Sequence, residues 1–204
     1  MFAGPRATLL VVADAHNGAE AAEVAVVTLT DALGADPPPA DLGPARLVEL
    51  LHATEHAIWV ETRRHRYPRR GSRTAISLAL VTAGRAQWAS VGDTAVILRR
   101  ADAAVLLSTP QPIYLGTAAG PEQLADVLQV GSVDLRPGDG VVLASDGFVD
   151  FVGDPATAVD EVTAECAGLS VRSLVAQLVQ RAFSGRAGDN VAVAAAFTDV
   201  PAVA

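Results

Sequence analysis

Apolar positions along the chain follow two rhythms. Residues 7–13 (ATLLVVA) form a short continuous apolar run closed by a polar turn, which predicts a buried strand. The next stretch, GAEAAEVAVVTLTDALG, is rich in Ala, carries Glu20 and Glu23 early and Gly34 at its end, and predicts a helix. A second helix is predicted over ARLVELLHATEHAIWVETRR, where Leu47, Leu50, Leu51, Ile58 and Trp59 recur at close to 3.6 residues. Between them GADPPPADLGP removes backbone donors and forbids helix, so it reads as a surface connection.

From Ser72 to Ser108 the rhythm changes to short runs at 76–81, 86–91, 95–98 and 104–107, with Thr82-Ala83-Gly84, Gly92-Asp93 and Ala101-Asp102 at the breaks. These predict a meander of mostly antiparallel strands. Residues 109–122, with their prolines and glycines, read as a connecting loop. A strand over 127–135, a tight turn over 136–140 and a strand over 141–144 follow. Asp154-Pro155 marks a helix start running to about Glu165. A longer helix over 170–183 and a closing strand over 191–197 complete the order. Helices segregate from antiparallel strands, which predicts an α+β fold, and two helix pairs covering two sheets would bury every apolar face named.

Composition narrows the function classes. The 204 residues are half hydrophobic and 19% charged, yet no run approaches the roughly 18 apolar residues of a membrane-spanning helix. The first apolar run ends in Asp-Ala-His instead of a small-residue cleavage site, so the expectation is a cytoplasmic protein without a secretory signal. Cys166 has no partner for an internal disulfide. A net charge of −8 argues against a nucleic-acid binder, whose affinity rests on clustered positive charge. All 15 basic residues are Arg. Arg63, Arg64, Arg66, Arg69, Arg70 and Arg73 fall together in RRHRYPRRGSR, which reads either as a solvated loop or as an anion contact.

Four aspartates stand beside apolar runs: Asp14, Asp93, Asp146 and Asp189. Buried strands rarely end in an unpartnered carboxylate, and four such ends brought together make an oxygen-rich site for a hard cation. Singly each has a plainer reading, because Asp-Gly and Gly-Asp are turn dipeptides and Asp caps helices; that reading is kept for Asp102, Asp139 and Asp154. His52 and His56, spaced i and i+4, read as helix-surface residues. His65 is assigned nothing.

Their neighbours give these aspartates a context. The chain shows, in order, DAHNG, GSRTA, GDT, SDG and GDN. This succession resembles the metal-dependent type 2C serine/threonine protein phosphatases, whose pattern runs Asp-Gly-His-Gly-Gly, Gly-Ser/Thr-Thr-Ala, Gly-Asp-Ser, Ser-Asp-Gly and Asp-Asn. The likeness covers roughly residues 8–197. It implies a four-layer α-β-β-α sandwich in a single domain, 1–204 with its core at about 7–198. It also implies hydrolysis of phosphoserine and phosphothreonine by a water activated at a binuclear Mn2+ or Mg2+ centre. Asp14 would serve both cations, Asp146 and Asp189 would complete one shell, the Ala15 carbonyl would bind the second cation, and Asp93 with Asp146 would match a third position. His16 is the candidate acid for the departing alkoxide, and Asn190 has a supporting place beside Asp189.

Departures from the family pattern set further expectations. The Arg and acidic residue that family members carry upstream of the first aspartate have no counterpart in MFAGPR. The second cation is therefore expected to bind weakly, and the phosphate grip to move to Arg69, Arg70 and Arg73. Ala15 and Asn17 replace glycines, and Asn tolerates left-handed backbone better than most residues. Expected partners are phosphorylated proteins with a serine/threonine kinase or a stress-signalling regulator, the chain acting as a monomer. The alternative is a catalytically degenerate member that binds a phosphoprotein or kinase without turnover.

Overall fold

The computed structural model describes residues 2–3, 7–33, 42–64, 71–101, 103–117, 121–166 and 170–198. One sheet contains β1 (Phe2–Ala3), β2 (Ala7–His16), β3 (Arg73–Thr82), β4 (Arg85–Val91) and β7 (Gln129–Asp134), in the order β1-β2-β3-β4-β7. The other contains β5 (Ala95–Arg99), β6 (Ala104–Leu106), β8 (Gly140–Ala144) and β9 (Val193–Phe197), in the order β6-β5-β8-β9. Every strand pair is antiparallel. Helices α1 (Glu20–Leu33), α2 (Pro44–Arg64) and the short α3 (Pro121–Val127) cover the first sheet; α4 (Asp146–Val149), α5 (Pro155–Glu165) and α6 (Val171–Ser184) lie with the second.

Strand periodicity explains the layering. Side chains alternate between the two faces of a strand, and in β2 Leu9 enters the core under α1 and α2 while Leu10 and Val12 enter the core between the sheets. That inner core also takes Ala79, Val81, Trp88, Val96, Leu98, Val141, Leu143 and Ala196. A third core joins Ile97, Val142 and Ala195 to Val159, Val162, Leu174 and Leu178 of α5 and α6. Three apolar layers between four layers of secondary structure make the expected α-β-β-α sandwich. Among the described residues no helix is long and apolar enough to cross a membrane.

Local chemistry sets the helix faces. On α1 the buried residues Ala21, Ala25, Leu29 and Leu33 repeat every four positions, a single stripe in which alanines permit close packing. On α2, Leu47, Leu50, Leu51 and Ile58 are buried as expected, but Trp59 is 43% exposed and ring-stacked on His56. One residue beyond Ile58 is a 100° turn away from the stripe. Thr54 and Thr62 occupy the stripe instead, each returning its hydroxyl to the helix at Leu50 O and Ile58 O, both 2.8 Å. Asp154 is the expected cap, accepting from Thr157 N–H at 2.7 Å, and Ser170 caps α6 in the same way, accepting from Ser173 N–H at 3.2 Å.

Several boundaries depart from the sequence reading. The run of short strands is two hairpins, β3-β4 and β5-β6, in different sheets, because the chain crosses the sandwich at Gly92-Asp93-Thr94. The stretch expected as loop and early strand contains α3, whose Leu124 and Val127 pack into the outer core, and β7 begins only at Gln129. Strand β3 extends back to Arg73, and β9 starts at Val193. The helix α4 directly after β8 has no sequence forecast.

Candidate metal centre

Between the sheets the apolar layer gives way to polar residues at one end. On β2 the inward-facing series Leu10, Val12 continues as Asp14 and His16, and on β8 the series Val141, Leu143 continues as Ser145, with Asp146 next. Ser77, Ser90 and Thr94 form the floor, with Ser77 Oγ 3.0 Å from Ser90 Oγ and 2.6 Å from Thr94 Oγ1, all buried. Above it lie Asp14, His16, Asp93 and Asp146, each offering one ligand atom within 4.8 Å of the others. Residues 132 positions apart in sequence, Asp14 and Asp146, thus share one site.

Hydroxyls of the GSRTA segment hold the DAHNG turn in place. Thr74 donates to Asp14 O at 2.7 Å, and Ser72 Oγ donates to Gly18 O at 3.1 Å while accepting Ala21 N–H, the start of α1, at 3.0 Å. Asn17 adopts φ 58° and Gly18 φ 117°, so the Asn takes up the left-handed geometry expected of it. Ala15 keeps the extended backbone of β2, opposite Thr74, with its side chain exposed.

The site is electrostatically tense. Burial pushes the Asp146 carboxyl up to a pKa of about 7, helped by its hydrogen bond to Asp14 and by the charges of Asp14, Asp93 and Asp189. Burial likewise raises Asp14, and Asp93 and Asp189 add to the rise while the hydrogen bond with Asp146 opposes it. Asp150, one helical turn from Asp146, is raised by burial and by the charges of Asp146 and Asp93. Asp14 Oδ2, Asp93 Oδ1, Asp146 Oδ1 and His16 Nε2 are all buried atoms without a hydrogen-bond partner. Orphaned buried acceptors are costly. Oxygen donors left unpaired around one point are the donor set that Mg2+ and Mn2+ take, so these residues fit such a cation.

Other expected residues are placed differently. Asp189 is exposed on the connection from α6 to β9, its Oδ1 accepting Asn190 N–H at 2.7 Å, outside the four-residue group although its charge is felt there. The Asn190 carbonyl accepts from Ser145 Oγ at 3.2 Å, which ties this connection to the end of β8. Arg73 lies opposite His16 in the β2-β3 register, with its guanidinium 4.8 Å over the ring of Tyr114 and its buried Nε without a hydrogen-bond partner. Arg66, Arg69 and Arg70 fall outside the described residues, as do His65 and Asp102. His56 is exposed, and Asp139 binds its own turn by accepting Arg136 N–H at 2.9 Å, as expected of residues without a site role.

Two residues at the site carry no motif signal. Asp150 sits four residues beyond Asp146, a relation that is visible only once α4 is known. Tyr114 comes from the 109–117 connection and donates to Asp93 Oδ2 at 2.7 Å. Nothing local to Tyr114 distinguishes it from an ordinary loop aromatic.

Comparison with known proteins agrees with this geometry. A curated relative, putative protein phosphatase 2C 23 of Oryza sativa subsp. japonica, is 36% identical over 90 residues, or 41% of this chain and 28% of the relative. The chain therefore spans little more than a quarter of that relative's length. Among solved structures, a bacterial serine phosphatase bearing an arginine substitution superposes with a TM-score of 0.77 at 18% identity, covering 94% of this chain and 85% of its own. The catalytic domain of the serine/threonine protein phosphatase PstP, solved in complex with two manganese ions, gives a TM-score of 0.74 at 23% identity, covering 97% and 90%. At these identities the structures establish the fold alone. The family described as Stage II sporulation protein E (SpoIIE) matches residues 5–197, nearly the whole chain. Sandwich, motif order and that match agree with the type 2C resemblance, and the chain belongs to the Stage II sporulation protein E (SpoIIE) family.

Proposed function

We propose that this chain is a divalent-cation-dependent protein phosphatase that hydrolyses phosphoserine and phosphothreonine. The observation that carries the reading is the group Asp14, His16, Asp93 and Asp146, with ligand atoms within 4.8 Å of one another and three carboxylate oxygens buried without hydrogen-bond partners. Asp14 and Asp146 would hold the first cation together with Asp189. Asp14 and the Ala15 carbonyl would hold a second, and Asp93 with Asp146 a third. Cations of this kind, when bound, supply an acidified water as nucleophile and offset charge on the phosphoryl oxygens.

The chain's own side chains supply the rest. His16, whose Nε2 lies 3.7 Å from Asp93 Oδ1, is placed to give a proton to the departing alkoxide. Arg73 brings a fixed positive charge beside His16, suited to a phosphoryl oxygen, with Arg69 and Arg70 as further contacts on the phosphopeptide. Asn190, through its carbonyl, holds Asp189 near β8. This domain would act in the cytoplasm as a monomer on phosphorylated proteins, with a serine/threonine kinase or stress-signalling regulator as its counterpart.

The test is release of inorganic phosphate from a phosphoserine peptide. Release should require Mn2+ or Mg2+, stop on chelation, and fall to background in Asp14→Asn and Asp146→Asn. Cation-dependent peptide binding without any phosphate release would instead support a degenerate binding module.

A further inference from the structure

Tyr114 belongs to a segment on which none of the sequence motifs falls, yet three contacts at the site converge on it. Its hydroxyl donates to Asp93 Oδ2 at 2.7 Å. Its ring lies against the His16 imidazole with centroids 4.4 Å apart and planes tilted by 51°. The Arg73 guanidinium stands 4.8 Å over the same ring, a cation–π distance.

The segment is fixed from several sides. Leu115 exchanges two backbone hydrogen bonds of 3.0 Å with Thr74 of β3, Gln111 N–H donates to Gly92 O at 2.8 Å, and Gly116 N–H donates to Glu55 Oε2 at 2.6 Å. Gly116 has φ +89°, and a β-carbon there would come within 3.0 Å of Ser72 O. A side chain at that position would be strained and crowded. The phenol is therefore held by pairing to the strand that carries Arg73 and Thr74, and by the turn that carries Asp93.

Asp93 has two oxygens with different fates. Oδ2 is occupied by the phenol, while Oδ1 is buried without a hydrogen-bond partner and lies 3.7 Å from His16 Nε2. A carboxylate with one oxygen held by a neutral donor cannot rotate freely, and its other oxygen is presented in one direction. Hydrogen bonds of this kind to ligand carboxylates orient them and tune affinity.

We propose that Tyr114 is a positioning residue: its hydroxyl selects the oxygen that Asp93 turns toward the cation, and its ring sets the plane of His16. The inference rests on the cation-dependent reading above. It makes the 109–117 connection part of the reaction centre through the side chain of Tyr114.

Mn2+ titration by calorimetry on the full chain, without substrate, separates the two ideas. Tyr114→Phe keeps the ring and removes the donor. It should weaken the Asp93-dependent part of Mn2+ binding by about tenfold, while the melting temperature in chelator changes little. The effect should vanish in an Asp93→Asn background, because the two changes remove the same interaction. Tyr114→Leu should also lower kcat, through loss of the support to His16. Unchanged Mn2+ affinity in Tyr114→Phe, or an equal loss in the Asp93→Asn background, would overturn the positioning role alone. Failure of the unsubstituted protein to bind Mn2+ would overturn both the role and the reading beneath it.

Discussion

Replacing Asp146 by Asn removes one negative charge from the site and leaves its shape nearly unchanged, so the metal-free protein should become more stable. The sign follows from the direction of the shift. An acid with a higher pKa in the folded state than in the unfolded one binds its proton more tightly when folded, so ionisation opposes folding. For Asp146 that penalty is absent below its ordinary value of 3.8, grows as the pH rises, and is complete above about 7. At about 1.4 kcal/mol per pH unit the full penalty would be about 4 kcal/mol. The carboxyl is only partly buried and its neighbours are screened by water and salt, so about 1–2 kcal/mol is the figure to expect. In a protein of 204 residues that corresponds to roughly 2–8 °C in melting temperature. Thermal denaturation followed by circular dichroism in chelator should show Asp146→Asn melting above the unsubstituted protein at about pH 8. The two curves should converge toward about pH 4, where the unfolded carboxyl also takes its proton. Added Mn2+ should raise the melting temperature of the unsubstituted protein and leave the variant almost unmoved. A variant that melts lower in chelator at about pH 8, or a difference independent of pH, would mean that ionisation of Asp146 does not oppose folding.

Two other changes probe the surroundings. A β-carbon at Gly147 would overlap the carbonyl oxygen of Asn190, so Gly147→Ala should push the Asp189-Asn190 connection off β8 and cost about 1–3 kcal/mol, read from urea denaturation; an unchanged midpoint would mean that the close approach has no energetic weight. Arg73→Ala should raise KM by roughly 10-fold for a phosphopeptide and for a small aryl phosphate alike, the size expected for a lost charge-assisted hydrogen bond, and the absence of any KM change would remove Arg73 from phosphate binding.

The layers of the sandwich were legible because their signal is periodic and local. Leu9 and Leu10 fall on opposite faces by the alternation of strands, and Ala21, Ala25 and Leu29 share a face by the helical repeat. What periodicity does not carry is the assignment of strands to sheets. The turn at Gly92-Asp93-Thr94 resembles any hairpin break, yet there the chain leaves one sheet for the other, as packing on both faces of the inner core requires. Trp59 shows the same limit on a smaller scale: its chemistry suits the core, but one residue of helical rotation puts it outside while Thr54 goes in. At the site, Asp14, His16, Asp93 and Asp146 were readable because motif order fixes them along the chain. Tyr114 was not, because its place there depends on a bridge between Leu115 and Thr74 that no local pattern encodes. Asp189 was read as an equal of Asp146, whereas its carboxylate caps its own turn at Asn190 N–H.

Carboxylates at the ends of two different sheets are held close together, against their mutual repulsion, and the proposed function requires divalent cations to bind between them. The most direct measurement is an anomalous-difference map from crystals grown with Mn2+, collected near the manganese absorption edge. Peaks coordinated by Asp14 and Asp146 are expected, with a further peak touching Asp93 Oδ1 and none of these peaks in Asp146→Asn. Crystals with saturating Mn2+ that show no peak among Asp14, Asp93 and Asp146 would contradict it.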